Sequence, residues 1–338
     1  MRILVTGGAG YIGSTMIRLL LEKGYDVICL DRFFFGMDSI KDIADQIKIV
    51  KDDIRWFNPK ILTEVDAVFD LAALSNDPAG ELNPEKTMEI NYKGRVRVAK
   101  LSKKYGVKKY VLASTCSVYG YQKDTCTEET PPNPLTTYAK ASFLAEKDTL
   151  KLADRDFSVT ILRQATVYGL SYRMRFDLVV NAMVRAIYKY GKVFIGKPGT
   201  QWRPLVHVKD TSRAFIMVLE AENELVNGKI FNVGSNEQNY QIFNLAREIT
   251  EALNVPFEYE WMKTLDTRSY RVSFDKIKKV LGFRPKYTVK DGAREIYNAL
   301  RNGDLNPDDP RWITVKWYKH LLEMKKFLEE VEINGRLL

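Results

Sequence analysis

The chain has 338 residues, of which 45% are hydrophobic and 28% charged, and its formal net charge is +9. At about 100–200 residues per domain, this length predicts two lobes or one large α/β domain with an appendage, and the apolar content excludes a disordered chain. No apolar run approaches the ~20 residues of a membrane-spanning helix, and 52 basic residues are dispersed among 43 acidic ones, so we expect neither a membrane nor a nucleic-acid partner.

The first half of the chain alternates short apolar runs with helical segments. Buried strands are predicted at 2–5, 26–30, 48–50, 67–71, 110–113 and 159–162, and helices between them at 11–23 and 85–105. Short apolar strands separated by helices are typical of a parallel sheet that is covered on both faces. The sequence therefore predicts an α/β fold, with a Rossmann-type doubly wound parallel sheet that binds a dinucleotide.

The second half is more irregular. Prolines interrupt the pattern from Pro198 onward, and helices are predicted at 179–189, 210–220, 240–253 and 312–331. Since no distinct linker separates the halves, we expect the lobes to exchange segments. The predicted division is an NAD-binding Rossmann domain at 1–168, to which segments around 205–235 return, and a smaller mixed α/β substrate lobe at 169–338 with a C-terminal helical extension.

A glycine-rich turn joins the first predicted strand to the first helix. Its sequence, Thr-Gly-Gly-Ala-Gly-Tyr-Ile-Gly, satisfies the dinucleotide-binding pattern with glycines at positions 8, 10 and 13 or at positions 7, 10 and 13. Glycines permit the tight turn, let backbone N–H groups approach a diphosphate, and let the helix pack on the strand. The helix N-terminus adds partial positive charge, so this segment predicts a phosphate-binding site.

An acidic residue follows the second predicted strand. Asp31 stands 18 residues after Gly13, where a carboxylate can accept both ribose hydroxyls of an adenosine and repel a 2′-phosphate. The neighbouring Arg32 keeps the alternative open, because its guanidinium can bind that phosphate. We expect NAD as the cofactor in preference to NADP.

Further segments complete a spaced set of motifs. They are Asp52-Asp53-Ile54, Leu71-Ala72-Ala73, Asn91-Tyr92-Lys93-Gly94 and Ser114-Thr115-Cys116-Ser117-Val118-Tyr119-Gly120, with Tyr138 at the start of a later helix. With the glycine turn, this set resembles the extended short-chain dehydrogenase/reductase family in its NAD-dependent nucleotide-sugar epimerase and dehydratase branch, over most of residues 1–300. The resemblance implies an NAD-dependent enzyme whose cofactor-binding residues are Gly7, Gly10, Tyr11, Ile12, Gly13, Asp31, Arg32, Asp53, Ile54, Leu71, Ala72, Ala73, Asn91 and Tyr138.

The implied reaction is oxidation of a sugar hydroxyl, which needs a base for the hydroxyl proton while hydride leaves the carbon. A tyrosine can be that base when nearby positive charge lowers its pKa from about 10. The resemblance assigns this role to Tyr138 and gives Thr115 the hydrogen bond to the reacting oxygen. The family has a lysine four residues after the tyrosine, on the same helix face. This chain has Ser142 there, which completes the predicted catalytic set and is expected to weaken the redox chemistry.

The sequence departs from the family at two further places, and the second of them bears on the reaction. Asp70 stands where the family usually has a histidine. Dehydratases of this branch carry two carboxylates after the threonine of the fifth-strand segment, and this chain has Cys116 and Ser117 there. Eliminating water needs one proton removed and another delivered, so we expect no dehydration. Cys116 is interpreted as a buried small side chain, not as a reactive thiol.

The resemblance also implies a site for a nucleoside-diphosphate sugar. Guanidinium groups suit a diphosphate because they offer two parallel donors. Arg203 resembles the family's clamping arginine, and Arg268 or Arg271 is the second candidate. The predicted substrate-binding residues are Thr115, Cys116, Ser117, Thr166, Asn181, Arg203, Arg268 and Arg271.

The sequence thus predicts NAD-dependent oxidation at a sugar carbon, with C4 as the first choice, by a 4-epimerase or a 4-oxidoreductase. The alternative is a non-catalytic sensor or scaffold of the same fold that binds NAD(P), which Ser142 favours. Three cysteines cannot all pair, which indicates a reducing, cytoplasmic location, and two histidines leave little material for a metal site. Because the family commonly pairs through two helices, here 85–105 and 138–153, we expect a homodimer.

Overall fold

The computed structural model describes residues 1–266 and 268–336, so residue 267 and the last two residues of the predicted substrate lobe lie outside it. Its strands are β1 (Arg2–Thr6), β2 (Asp26–Asp31), β3 (Lys48–Lys51), β4 (Ala67–Asp70), β5 (Lys109–Thr115), β6 (Tyr121–Cys126), β7 (Ser158–Gln164), β8 (Thr166–Tyr168), β9 (Val193–Lys197), β10 (Trp202–His207), β11 (Lys229–Val233), β12 (Asn239–Gln241), β13 (Tyr259–Leu265) and β14 (Ser269–Val272). Its α-helices are α1 (Tyr11–Glu22), α2 (Asp77–Gly80), α3 (Pro84–Met88), α4 (Arg95–Lys104), α5 (Thr137–Leu150), α6 (Val179–Tyr190), α7 (Val208–Glu220), α8 (Asn223–Val226), α9 (Ile242–Ala252), α10 (Asp275–Leu281), α11 (Val289–Arg301) and α12 (Thr314–Val331).

A seven-stranded parallel sheet forms the centre of the fold. Its strand order is β11-β7-β5-β4-β1-β2-β3, and every neighbouring pair runs in the same direction. The order reverses beside β1, so that β2 and β3 lie on one side and β4, β5 and β7 on the other. This is the doubly wound arrangement of dinucleotide-binding folds, and it confirms the predicted fold class.

Apolar side chains cover both faces of this sheet. Ile3 and Val5 of β1 pack in one cluster with Ile17 of α1 and Phe215 of α7, whereas Leu4 packs in the other cluster, to which α4 and α5 contribute. The alternation follows from strand geometry, because successive side chains point to opposite faces. Near-continuous apolar runs are therefore what a sheet buried on both faces requires.

Three helix predictions differ from the structure. The predicted helix 85–105 is interrupted, because a π-helical turn at Glu89–Gly94 lies between α3 and α4. Tyr240 lies in β12, not in a helix, because it pairs with Arg203 of β10 in an antiparallel ladder. The last helix begins at Thr314, two residues later than predicted.

Small sheets lie beside the large one. Strands β8, β10 and β12 form a three-stranded sheet, and β9–β13 and β6–β14 form two pairs. The chain returns from β10 through α7 to β11, which is an edge strand of the central sheet. The division into two domains stays a prediction, although this path follows the expected return near 205–235.

The C-terminal extension lies against the first lobe. Tyr318 packs edge-on against Phe34, with ring centroids 5.9 Å apart, and Trp317 Nε1 donates a hydrogen bond to the Phe34 carbonyl at 2.5 Å. Arg311 adds an ion pair with Asp38 at 2.7 Å. Within residues 1–266 and 268–336, no helix is both long and apolar enough to cross a membrane.

Candidate active site

Two adjoining cavities open at the carboxyl ends of β1, β4 and β5. The larger has a volume of about 1080 Å³ and the smaller about 130 Å³, and Gly7, Tyr11 and Arg175 line both. Together they form one groove, which we call the cofactor groove. Open α/β sheets bind ligands at this edge, beside the point where the strand order reverses.

The glycine turn forms one wall of the groove. Gly7 has a φ of +67°, a backbone conformation that glycine adopts without strain. A Cβ at Gly13 would lie 2.7 Å from Gly8 Cα, so a side chain there would separate α1 from β1. Gly10 begins α1 without a side-chain cap among the described residues, which leaves the first N–H groups of the helix for an anion. The turn therefore fits a diphosphate.

Asp31 lies at the end of β2, in the smaller cavity. Its carboxylate accepts hydrogen bonds from the Ala9 N–H at 3.0 Å and the Phe33 N–H at 2.8 Å. Burial raises the pKa of this carboxyl, although the backbone donors oppose the rise. Two fixed donors orient the carboxylate at the place where the ribose hydroxyls of an adenosine would lie.

Arg32 is engaged with an acidic neighbour. Its guanidinium pairs with Asp53 at 2.7 Å, and Arg55 pairs with the same carboxylate at 2.8 Å. Burial opposes ionisation of Asp53, but hydrogen bonds from both arginines outweigh it and lower its pKa to about 2. The guanidinium of Arg32 is therefore engaged with Asp53, which favours NAD over NADP.

The structure places nearly all of the predicted cofactor residues in the groove. Those that line it are Gly7, Gly10, Tyr11, Ile12, Gly13, Asp31, Arg32, Asp53, Ile54, Leu71, Ala72, Ala73 and Tyr138. Asn91 is the exception, because its side chain is fully buried and binds both the N–H and the carbonyl of Leu74, at 2.8 and 3.0 Å. It holds the loop after β4 and does not itself line the groove.

Tyr138 and Thr115 meet in the larger cavity. Thr115 ends β5, and Tyr138 lies in the first turn of α5, which Thr136 caps by accepting the Ala139 N–H at 3.2 Å. Both side chains line this cavity, and the Thr115 hydroxyl lowers the pKa of Tyr138. Burial raises the pKa of Tyr138, and the positive charge of Arg95 is the largest influence that opposes the rise. The two hydroxyls can hold one alcohol oxygen between them.

Ser142 does not reach the cavity. Its side chain is buried, and Oγ donates a hydrogen bond to the Tyr138 carbonyl at 2.9 Å, one turn back along α5. A short side chain that bonds its own helix has no length left to extend toward the phenol. The structure therefore contradicts a direct catalytic contact by Ser142.

Two arginines line the far end of the larger cavity. Arg203 of β10 pairs with Asp266 at 2.6 Å, and Arg268 pairs with the same carboxylate at 2.9 Å and also with Asp77. Asp266 thereby fixes both guanidinium groups at the cavity wall. Ser117 and Thr166, two other predicted substrate residues, line the same cavity.

Three predicted substrate residues lie elsewhere. Arg271 bonds the Lys123 carbonyl at 3.4 Å on the outer side of β14, so of the two candidate clamps only Arg268 lines the cavity. Cys116 is buried and donates to the Arg163 carbonyl at 3.3 Å, and burial raises the pKa of its thiol. Asn181 is fully buried, and its side chain donates a hydrogen bond at 3.1 Å to Oη of Tyr11, which lines the groove.

Several residues that line the groove belong to none of the sequence motifs. Arg175 lines both cavities, Arg173 and Tyr318 line the smaller one, and Arg95 lines the larger one. Arg95 stands four residues after Asn91, a spacing that could have marked it on the inner helix face. Nothing local marks Tyr318, because it reaches the groove only when the C-terminal helix folds back on the first lobe.

The fold and the groove define a protein that binds a dinucleotide at the edge of a doubly wound sheet. Residues 3–234 match the NAD dependent epimerase/dehydratase family. The chain belongs to this family, and NAD is thereby confirmed as its expected cofactor.

Individual relatives agree with this assignment. The chain is 31% identical to a putative UDP-glucose 4-epimerase of Methanocaldococcus jannaschii, over 89% of this chain and 99% of that protein. The solved structure of UDP-glucose 4-epimerase from Thermotoga maritima with UDP-glucose superposes with a TM-score of 0.78 at 27% identity, over 90% of this chain and 100% of that one. MoeE5 in complex with UDP-glucuronic acid and NAD has a TM-score of 0.79 at 26% identity, with the same coverage.

Asp31→Asn is expected to weaken NAD binding by about 10- to 100-fold, the effect of losing hydrogen bonds to a charged group. In the unchanged protein, the raised pKa of Asp31 makes the affinity for NAD depend on pH. NAD affinity is full above that pKa and falls as the pH is lowered through it. Calorimetric titration with NAD at several pH values measures both effects. Asp26→Asn, at the exposed start of the same strand, is the control, and equal NAD affinity in the two variants would contradict the role of Asp31.

Proposed function

We propose that this chain oxidises a secondary hydroxyl, at C4, of a nucleoside-diphosphate sugar, and acts as a 4-epimerase or a 4-oxidoreductase. The observation that carries the proposal is that Tyr138 and Thr115 line one cavity, which Gly7 and Gly13 also line. A base, an oxygen-binding hydroxyl and a dinucleotide turn in one cavity are the parts that this oxidation needs.

The residues of the groove fit NAD. The glycine turn accommodates a diphosphate, Asp31 presents a carboxylate at the adenosine end, and Tyr138 lies in the larger cavity at the opposite end. When bound, NAD supplies the hydride acceptor for the sugar carbon. The protein's part is to hold the sugar hydroxyl and to accept its proton.

The proton moves through Tyr138. Its phenolate oxygen accepts the proton of the sugar hydroxyl, and the Thr115 hydroxyl donates a hydrogen bond to the same sugar oxygen. The oxygen then becomes a carbonyl oxygen as hydride leaves its carbon. When the carbonyl is reduced again, Tyr138 returns the proton. If the keto sugar rotates so that hydride returns to its opposite face, the product is the epimer. If the keto sugar is released after the first step, it is itself the product.

Arg203 and Arg268 suit the diphosphate of the substrate. Both line the cavity away from the glycine turn, and Asp266 orients both. Preformed guanidinium groups recognise phosphate oxygens with two parallel donors each. Dehydration is not proposed, because Cys116 is buried against a backbone carbonyl and Ser117 carries no carboxylate.

A non-catalytic sensor or scaffold is the second candidate. The observation that favours it is Ser142 itself, a neutral side chain whose hydroxyl donates to the Tyr138 carbonyl and which supplies no charge to the phenol. Such a protein would still bind NAD through the glycine turn and Asp31. It would exchange NAD with the solution, and no sugar would reduce the nucleotide.

The experiment that tests the proposal has two parts. Ligands released on denaturation are identified by mass spectrometry, and the protein is then incubated with a panel of nucleoside-diphosphate sugars. The expected result is conversion of one sugar to its epimer or keto form, with transient reduction of the bound nucleotide. NAD binding with neither conversion nor reduction across the panel would support the sensor instead.

We also infer that the chain works as a cytoplasmic homodimer. Helices α4 and α5 lie side by side on one face of the central sheet, which offers a pair of helices to a second copy. Cys29, Cys116 and Cys126 are all buried and free, as is usual in a reducing compartment. Light scattering of the purified chain tests the dimer, and a monomer at micromolar concentration would contradict it.

A further inference from the structure

A phenol needs a nearby positive charge before it can act as a base at neutral pH. The unperturbed pKa of tyrosine is about 10, and an opposite charge close to the oxygen stabilises the phenolate. Ser142 provides no charge, and its hydroxyl is engaged with the Tyr138 carbonyl. The cation that serves Tyr138 must therefore come from another element.

The candidates are few. Among the described residues, the basic side chains that line the larger cavity are Arg95, Arg175, Arg185, Arg203 and Arg268, and no lysine or histidine lines it. Each of these arginines except Arg95 has a carboxylate partner: Asp177 for Arg175, Asp308 for Arg185, and Asp266 for both Arg203 and Arg268. Arg95 has no ion pair within residues 1–266 and 268–336.

Backbone oxygens, not a carboxylate, hold Arg95 in place. Its side chain is 3% exposed, Nε donates to the Ala72 carbonyl at 2.9 Å, and Nη1 donates to the Ala113 carbonyl at 3.0 Å. Ala72 follows β4 and Ala113 lies near the end of β5, so the guanidinium is fixed at the edge of the sheet where Thr115 also lies. These two acceptors are neutral, and Arg95 itself lines the larger cavity.

We propose that Arg95 supplies, from helix α4, the positive charge that activates Tyr138 in this chain. The proposal rests on the proposed function, since it names a further residue for the same oxidation. Arg95 Nη2 has no hydrogen-bond partner in the part of the chain that the structure describes. It is therefore available to a ribose hydroxyl of the dinucleotide, and one guanidinium would both stabilise the phenolate and hold the cofactor.

Other charges around Tyr138 are consistent with this role. Arg95 is the largest influence that lowers the pKa of Tyr138 against the effect of burial. Asp77, from α2, raises that pKa, and Arg175 lowers it more weakly while paired with Asp177. The Thr115 hydroxyl also lowers the pKa of Tyr138. The charge of Arg95 also opposes the rise that burial causes in the pKa of Asp70 on β4, whose carboxylate accepts hydrogen bonds from Thr6 and Tyr110.

The test measures the ionisation of Tyr138 without relying on turnover. Ultraviolet absorbance is followed against pH, and the curve of the matching Tyr138→Phe variant is subtracted, which isolates one phenol. In Arg95→Gln, the phenolate is expected to form about one pH unit higher than in the unchanged protein, because a nearby cation has been removed. NAD affinity, measured by calorimetry, is expected to fall about tenfold.

Three further variants separate charge from structure. Arg97→Gln is the matched control, because Arg97 lies on the same helix and also donates to two backbone carbonyls, those of Ile54 and Phe57, outside the larger cavity. It is expected to leave Tyr138 unchanged. Arg95→Lys keeps the charge and is expected to keep most of the ionisation behaviour. Ser142→Lys in the Arg95→Gln background returns a cation to the tyrosine's helix face and is expected to move the phenolate curve back.

The outcomes distinguish this inference from the proposed function. An unshifted phenolate curve in Arg95→Gln, with only the melting temperature lowered, would show that Arg95 merely braces β4 and β5, and would overturn the inference while leaving the activity intact. If no nucleotide sugar is converted and yet the phenolate curve shifts as expected, the proposed function fails, and what stands is that the charge of Arg95 stabilises the Tyr138 phenolate. Conversion together with an alkaline shift of the pH–rate profile in Arg95→Gln supports both.

Discussion

Tyr138→Phe is expected to lower kcat by about 10²–10⁴-fold, the usual contribution of a positioned general base. The substitution removes one oxygen, and the ring remains in the first turn of α5. The sugar hydroxyl then has no group to accept its proton, while Thr115 still offers a hydrogen bond. Steady-state kinetics with the converted nucleotide sugar measures the loss, and KM is expected to change little, because the diphosphate contacts lie elsewhere in the cavity.

The control for this prediction is Tyr121→Phe. Tyr121 begins β6, is half exposed and does not line the groove, so its hydroxyl should not matter to turnover. NAD affinity is measured for both variants to show that the groove is intact. If Tyr138→Phe keeps more than about a tenth of the activity, proton transfer must pass through another group, and the general-base role is wrong.

The central sheet was predictable because the features that define it, apolar runs, glycine turns and helix ends, are local in the sequence. Each apolar run between helices became a parallel strand, and the glycine after α1 adopts the left-handed conformation that ends a helix, with a φ of +78° at Gly24. The interrupted helix at 85–105 was not predictable from periodicity. A π-helical turn adds one residue to one turn of a helix that continues on both sides, so the segment keeps its helical character. At Tyr240, strand pairing with a distant segment outweighed the local helical pattern.

In the candidate site, too, the residues that depend on local sequence were predictable and those that depend on long-range packing were not. The glycine turn and Asp31 depend on a strand, a turn and a helix that are neighbours in sequence, and the structure places both in the groove. Arg268 and Arg271 are three residues apart, and only the pairing of β14 with β6 decides which one faces the cavity. Arg95 and Tyr138 line the same cavity from two different helices, so the role of Arg95 depends on tertiary packing that no motif encodes.

Glu146→Gln is expected to lower the free energy of unfolding by about 3–5 kcal/mol, the range measured when one partner of a buried ion pair is removed. Glu146 and Arg163 are 1% and 2% exposed, and their shortest contact is 2.7 Å. Arg163 also donates to Tyr119 Oη at 3.1 Å, and Ser114 donates to Glu146. The amide keeps part of this network but leaves the guanidinium charge buried without a counter-ion. Urea denaturation of both proteins measures the difference.

Two comparisons make this prediction specific to burial. Glu330→Gln, in an exposed pair with Lys326 on α12, is expected to change stability by less than about 0.5 kcal/mol. Replacing both partners by apolar residues, Glu146→Leu with Arg163→Met, should recover much of the loss, because desolvation then removes no charge from water. A loss in Glu146→Gln no larger than that of the exposed pair would mean that water reaches Arg163. In that case the pair could not hold Ser114, and through it Thr115, in the fixed position that proton transfer at Tyr138 requires.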